Sequence, residues 1–178
     1  MGNNKSFTLV ELLVTVAIFS LIVSTASGVF VSALQAQRKS LAMQELLGQT
    51  SFLMEYMSRA IRMAKKELSA PACLSENGLN YEKTRGGKGL KFINYQGICQ
   101  EFFWDVTTGR LKEAKGGAEE FLTSGNLQII NLNFKLRGEF QEDDDQPRIT
   151  LFLEIEGKEK SKIKIQTTIS QRNPDIPK

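Results

Sequence analysis

The first part of the chain has the hydrophobic pattern of a single long helix. Residues 7–34 form an apolar run in which Glu11 is the only charged residue. At 1.5 Å per residue this run gives about 42 Å of helix, which is more than the ~30 Å hydrocarbon core of a bilayer. Residues 7–34 are therefore predicted to form a membrane-spanning helix.

Beyond residue 34 the apolar residues recur at helical spacing and form one stripe. The members of that stripe are Leu46, Leu53, Met57, Ala60, Ile61, Ala64 and Leu68. Charged and amide side chains occupy the opposite surface, where Glu55 and Arg59 form an i, i+4 pair. The pattern predicts that residues 35–70 continue the helix as an amphipathic segment, with a stop between Leu68 and Pro71.

From Pro71 onward the spacing changes to that of β-strands. Apolar residues occupy alternate positions in three segments, Ile130 to Leu136, Ile149 to Ile155 and Ile163 to Ile169. Shorter strands are predicted at residues 90–95, 98–104 and 110–114, and residues 77–89 are interpreted as a loop. Residues 71–178 are therefore expected to form a β-rich head, an antiparallel sheet packed across the striped helix, which makes the fold class α+β.

Glu11 is unusual because a carboxylate in a spanning helix costs about 2.5–3.5 kcal/mol on insertion scales. A sequence that keeps such a residue usually gives it a partner. Part of the stabilisation is local, since an acidic group in the first turn of a helix favours the positive end of the helix dipole.

The residues around Glu11 resemble the N-terminal signal of type IV prepilins. In that family a short basic leader is removed just before a phenylalanine, and an acidic residue occupies the fifth position of the mature chain. Here Lys5 matches the basic leader residue, and Phe7 through Leu13 matches the family pattern. The cut falls between Ser6 and Phe7, so residues 1–6 are the leader. Ser6 departs from the family, which has glycine at this position.

The resemblance implies a minor pilin or pseudopilin, a structural subunit of a type IV pilus or of a type II secretion-like filament. Prepilin peptidase would cleave after Ser6 and methylate Phe7, which becomes the mature N-terminus. Glu11 would then pair with the terminal amine of a neighbouring subunit, an interpretation favoured over a contact within one chain. The implied partners are the peptidase, other pilin or pseudopilin subunits, an assembly platform with its ATPase, and membrane lipid. Neither catalysis nor a cofactor is implied.

The family also implies the location of the protein. The leader lies on the cytoplasmic side and the chain crosses the inner or cytoplasmic membrane once. The head is extracytoplasmic and joins a surface or periplasmic filament.

Two other interpretations of the N-terminal segment and one rival function of the protein stay open. It could be an ordinary secretory signal cut after Ala26, although the apolar run continues beyond that residue. It could be a simple single-pass anchor. The rival function is a membrane-anchored extracytoplasmic receptor or binding protein that uses the helix only as an anchor.

Composition and charge narrow the function of the head. The chain has a net charge of +3 with interspersed signs, which does not indicate a nucleic-acid partner. It contains no histidine, the commonest general base and metal ligand, so an enzyme is disfavoured.

Two further features of the head have a bland and a functional interpretation. Cys73 and Cys99 are candidates for a disulfide worth roughly 3.5 kcal/mol in the chain-entropy model, and the alternative is two buried thiols. The acidic cluster at residues 142–145 is interpreted as a solvated loop in preference to a calcium site, because it lacks the spaced ligands of a calcium loop.

Overall fold

The computed structural model describes residues 8–68, 72–138 and 145–172. Helix α1 runs from Leu9 to Arg62. The chain divides into two compact units, one up to Leu41 and the other from Ala42 onward, and each is described by itself. The domain boundaries predicted at residues 34/35 and 70/71 stay predictions.

The second unit contains the end of α1 and the strands of the head. The strands are β1 Tyr81–Thr84, β2 Gly89–Ile93, β3 Cys99–Asp105, β4 Arg110–Lys115, β5 Ala118–Phe121, β6 Gln128–Arg137, β7 Arg148–Glu156 and β8 Lys162–Ser170. Short 3₁₀ turns lie at Arg85–Gly87 and Lys158–Lys160. The predicted α+β class, a long N-terminal helix with antiparallel strands, is confirmed.

The strands form two antiparallel sheets where one was predicted. One sheet has the order β1-β2-β3-β4-β5 and the other the order β6-β7-β8. They are linked by a backbone hydrogen bond from the Ile129 N–H to the Gly109 carbonyl, 2.7 Å long. Alternation does not determine the number of sheets, because it indicates which face of a strand is buried and not which strands pair.

One hydrophobic core serves both sheets and the helix residues of this unit. The helix contributes Leu46, Leu53, Met57 and Ile61, as the predicted stripe requires. Both sheets place their largest buried side chains against this stripe, and these include Phe92, Phe102, Phe134, Ile149, Leu151 and Ile155. Each such side chain contributes about 1.5–3 kcal/mol relative to its exposed state, so the core is the main source of stability for the head.

The helix ends earlier than its apolar stripe predicts. It stops at Arg62, and the predicted last member of the stripe, Leu68, is 78% exposed. The reason is tertiary: the Lys65 N–H donates to the Ile93 carbonyl at 2.8 Å, an extended bridge that is incompatible with a helix.

Groups from the head also bond the carbonyls at the end of the helix. The Tyr81 hydroxyl donates to the Ile61 carbonyl at 2.7 Å, and the Arg172 N–H donates to the Arg62 carbonyl at 2.9 Å. The Gln171 side-chain amide donates to the Ala64 carbonyl at 2.8 Å. These bonds replace the intrahelical partners that the last carbonyls of a helix lack.

Two local predictions about strands are wrong, and one strand has no prediction. Residues 77–89 were predicted to be a loop, but Tyr81–Thr84 pairs with β2. β5 was not predicted, because all of its residues are exposed and its sequence shows no alternation of buried and exposed positions. A two-residue turn, Gly116-Gly117, joins β5 to β4, and both glycines have positive φ. In β6 a bulge between Ile129 and Asn131 buries Ile129 and exposes Ile130, which was expected to face the core.

A buried carboxylate fixes the segment that follows the helix. Glu67 is 3% exposed, and its carboxylate accepts the N–H groups of Ala72, Cys73 and Leu74 at 3.0, 3.2 and 2.7 Å. Burial alone would raise the pKa of Glu67, but the three N–H donors outweigh burial and hold the pKa below its ordinary value. The charged form of Glu67 therefore holds residues 72–74 in place.

The neighbouring cysteines are joined in the structure. Cys73 and Cys99 form a disulfide whose Cα atoms are 5.4 Å apart. Leu74 and Leu79 are buried around it, and Ile93 packs against this small cluster. The acidic residues 142–144 lie outside the described residues, and Asp145, the last member of the cluster, pairs with Arg137 at 2.9 Å.

We expect Glu67→Gln to lower the free energy of unfolding by about 1–3 kcal/mol at pH 7, because an amide accepts the three N–H groups less strongly than a carboxylate. Since the folded-state pKa of Glu67 is lowered, its contribution is complete above the unfolded pKa and is lost as pH falls through the folded pKa. The loss of stability on acidification should thus be smaller in the variant. Denaturant unfolding of the full chain at pH 7 and pH 3 measures both effects. Glu82→Gln, which removes a carboxylate that accepts one described N–H, from Ser75, is the control and should change stability less.

For the disulfide, we expect a peptide map without reductant to contain one linked peptide pair with Cys73 and Cys99, and reduction to release both. Loss of the link should reduce stability by roughly 3.5 kcal/mol in the chain-entropy model. Identical maps with and without reductant would contradict the pairing.

Candidate assembly helix

The start of α1 is closed by a side-chain cap. The Thr8 hydroxyl accepts the backbone N–H of Glu11 at 3.3 Å, and the Leu12 N–H donates to the Thr8 carbonyl at 3.2 Å. Thr8 is thus the N-cap, and Glu11 lies in the first turn, where a carboxylate interacts favourably with the helix dipole. The sequence contains the signal for this cap, since Thr8 and Glu11 have the spacing of a capping box, but the prediction did not use it.

The first unit exposes its whole apolar surface. Every residue from Thr8 to Leu41 is exposed, and the helix is long and apolar enough to cross a membrane. Exposed large side chains occur on all sides of the helix, for example Leu9, Val10, Ile18 and Phe19. An apolar patch of this size on a protein surface marks a site that contacts lipid or other protein.

The hydroxyl groups of this segment are bonded within the helix. Serine and threonine side chains donate to carbonyls three or four residues earlier, at 2.8–3.3 Å, and the donors are Thr15, Ser20, Ser24, Thr25, Ser27 and Ser32. These internal bonds lower the penalty of placing the hydroxyls in an apolar medium. With the hydroxyls bonded in this way, Glu11 remains as the one charged side chain of the described apolar segment up to Leu34.

Small residues form a ridge along one side of this helix. Ser20, Ser24, Gly28 and Ser32 recur at every fourth position, and a Cβ on Gly28 would meet nothing within 4 Å. Small residues at this spacing let helix backbones approach closely in membranes and in helix bundles. The sequence carries this signal in plain form, in the four-residue spacing of Ser20, Ser24, Gly28 and Ser32.

The structure locates some of the predicted site residues and leaves others outside its range. Glu11 lies in the first turn of α1, four residues after Phe7. Lys5, Ser6 and Phe7 lie outside the described residues. The predicted roles of these residues in cleavage, methylation and assembly therefore stay predictions.

The comparison with known protein families agrees with the sequence pattern. Residues 1–27 match the model of the prokaryotic N-terminal methylation motif, and this range includes Phe7 and Glu11. The N-terminus carries a type IV prepilin-like signal. No curated protein matches the chain, and no solved structure does.

This prepilin-like signal covers residues 1–27 and indicates how the N-terminus is processed. The motif marks a prepilin-type substrate of the pilin or pseudopilin kind, which implies processing by prepilin peptidase and assembly with other pilin subunits. Together with the exposed apolar helix it fits membrane anchoring and a pilus-type filament.

Proposed function

We propose that the protein is a minor pilin or pseudopilin, a structural subunit of a type IV pilus or a type II secretion-like filament. The observation that carries the proposal is the pairing of a methylation motif with a helix that is apolar on every side and keeps one carboxylate, Glu11. The activity of such a subunit is assembly, and its chemistry is done by the peptidase that processes it. The head is extracytoplasmic and the chain crosses the inner or cytoplasmic membrane once.

The apolar helix serves two environments in this proposal. In the membrane its surface faces lipid, and in the filament the same surface faces equivalent helices, which are similarly apolar. The ridge of Ser20, Ser24, Gly28 and Ser32 favours close helix packing in the second environment. An assembly platform and its ATPase drive the transfer from one environment to the other.

Glu11 gives the assembly its direction and register. Cleavage between Ser6 and Phe7 creates an ammonium group at the head of the apolar helix. In the filament this group, from one subunit, pairs with the Glu11 carboxylate of its neighbour. A pair of opposite charges in a low-dielectric medium strongly disfavours arrangements in which either charge is left alone.

The first test is the identity of the mature N-terminus. We expect intact-mass analysis of the protein from its native membrane to show a chain that begins at methylated Phe7. Ser6→Gly should be processed at least as well, and Ser6→Leu should accumulate as precursor because its bulk blocks the cut. A chain that retains Met1 would contradict the proposal, and one that begins at Ser27 would indicate a secretory signal.

The second test concerns Glu11. We expect Glu11→Val to reduce incorporation into filaments at least about tenfold, since a loss of about 1.4 kcal/mol already gives that factor. Membrane insertion should be unchanged. Quantitative immunoblots of sheared filaments and of membranes measure the two quantities. Thr15→Val is the matched control, because it removes a polar group from the same helix whose hydroxyl is bonded internally. Normal incorporation of Glu11→Val would overturn the proposal.

A further inference from the structure

A groove on the head lies between the end of α1 and the β2–β3 turn. Its volume is about 320 Å³. The residues that line it are Phe52, Glu55, Tyr56, Arg59, Ala60, Met63, Asn94, Tyr95, Gln100 and Lys115. All of them belong to the second compact unit.

The walls of the groove are apolar and aromatic, and two of their rings are strongly exposed. Phe52 is 74% exposed and Tyr95 is 53% exposed, while Met63 is also an exposed large side chain. Phe52, Tyr56 and Ala60 follow each other at intervals of four residues and form one ridge of α1. The groove therefore offers several apolar contacts to a single bound segment.

The aromatic wall is held in place by a buried network. The Tyr56 hydroxyl donates to both oxygens of the buried Glu113 carboxylate, at 2.8 and 3.0 Å, and the Gln100 amide donates to the same carboxylate. Burial and the Glu113 carboxylate raise the pKa of Tyr56 to about 12, so Tyr56 stays neutral. Its ring meets Phe102 edge-on at 6.0 Å.

One polar group at the groove lacks a partner. Asn94 is 1% exposed, and its side-chain oxygen accepts the N–H groups of Gln96 and Ile98 at 3.0 Å each. Its side-chain nitrogen has no hydrogen-bond partner among the described residues. A buried donor without an acceptor is unfavourable by about 1–3 kcal/mol, and because this nitrogen has almost no exposed surface, a segment bound in the groove does not contact it.

Cationic side chains outnumber carboxylates in the lining of this groove and of the depression beside it. A second depression shares Glu55, Arg59 and Met63 with the groove and adds Arg62 and Arg172. With Lys115, four cationic side chains and one carboxylate line the two depressions, a net charge of +3.

Arg59 pairs with Glu55 at 2.6 Å, whereas within the described ranges Arg62, Arg172 and Lys115 form no ion pair. Among the described residues, three cations of this surface are therefore without an ion-pair partner.

We propose that this groove binds an extended segment of a partner protein in which carboxylates flank an aromatic or large aliphatic side chain. The apolar side chain packs between Phe52, Met63 and Tyr95. The carboxylates meet Lys115 at one side and Arg62 with Arg172 at the other. This role adds a recognition surface to the proposed filament subunit and does not depend on assembly.

Charge and shape favour a peptide over the other polyanions. The Glu55 carboxylate lies on the boundary shared by the two depressions, where the evenly spaced phosphates of a single-stranded nucleic acid would pass. A peptide places its charges only where its sequence has them, so it avoids this carboxylate.

The test uses two fluorescent octapeptide libraries and the full chain in detergent micelles. In one library Asp and Glu alternate with Phe, Tyr, Leu, Met or Val, and in the other Lys and Arg replace the acids. We expect anisotropy to show saturable binding of the acidic library at least about tenfold tighter than that of the basic library. Binding should weaken with salt, since exposed charges contribute to it.

Variants assign the binding to the groove. Phe52→Ser and the double variant Arg62→Glu with Arg172→Glu should each weaken binding about tenfold or more. The matched controls are Phe152→Ser and Lys135→Glu, which change a half-exposed phenylalanine and an exposed cation that do not line the groove. Controls should fold and bind as the wild type does.

Three results would overturn the inference. The first is no binding of the acidic library, and the second is equal binding by the groove variants. The third is tighter binding of a single-stranded oligothymidine, which would reassign the surface to nucleic acid. None of these results bears on N-terminal processing or on Glu11, so the proposed function would stand or fall separately.

Discussion

The physical constraint behind the whole molecule is that the first half of α1 has no burial partner of its own. Every residue from Thr8 to Leu41 is exposed, and most of those up to Leu34 are apolar. At about 25 cal/mol for each Å² of apolar surface, keeping such a helix in water is strongly unfavourable. The helix therefore needs lipid or other helices, and this need connects the methylation motif to membrane insertion and to assembly.

Within the head, the same long helix is buried instead of exposed, and specific polar contacts hold its end. Its stripe from Leu46 to Ile61 is buried by both sheets, and its last carbonyls accept hydrogen bonds from Tyr81 and Arg172. The Glu67 carboxylate then fixes residues 72–74, and with them Cys73. The segment after the helix, the end of β2 and the disulfide segment are thus joined through hydrogen bonds that involve both backbone and side chains.

The sequence predicts those features that depend on periodicity. The apolar run with Glu11, the stripe on α1 and the alternation in β7 all appear in the structure, because burial of one face imposes a regular spacing on the chain. The prepilin-like signal does not depend on periodicity. Its residues are consecutive in the sequence, so the pattern can be identified without any tertiary structure. The match at residues 1–27 covers the same positions.

Tertiary contacts decide the features that the sequence did not predict. Leu68 has the spacing of the helical stripe. The Lys65 N–H, however, donates to a carbonyl of β2, so the helix has already ended before Leu68. Ile130 alternates with Leu132, but a bulge turns it outward. β5 has no buried residue from which a pattern could arise. The acceptor role of Glu67 was also invisible, because a glutamate near the end of an amphipathic helix is ordinarily a solvated residue.

The early end of the helix is also what creates the groove on the head. Had α1 continued to Leu68, its next turn would occupy the space in which Lys65 pairs with Ile93 and the β2–β3 turn begins. Because the helix stops at Arg62, Met63 and Asn94 lie at the wall of the same groove. The Arg172 N–H bonds the Arg62 carbonyl and thereby brings a second arginine to this edge. The bonds that cap the helix therefore also place the aromatic and cationic side chains on one surface. For this reason neither the groove nor its charge follows from the sequence pattern.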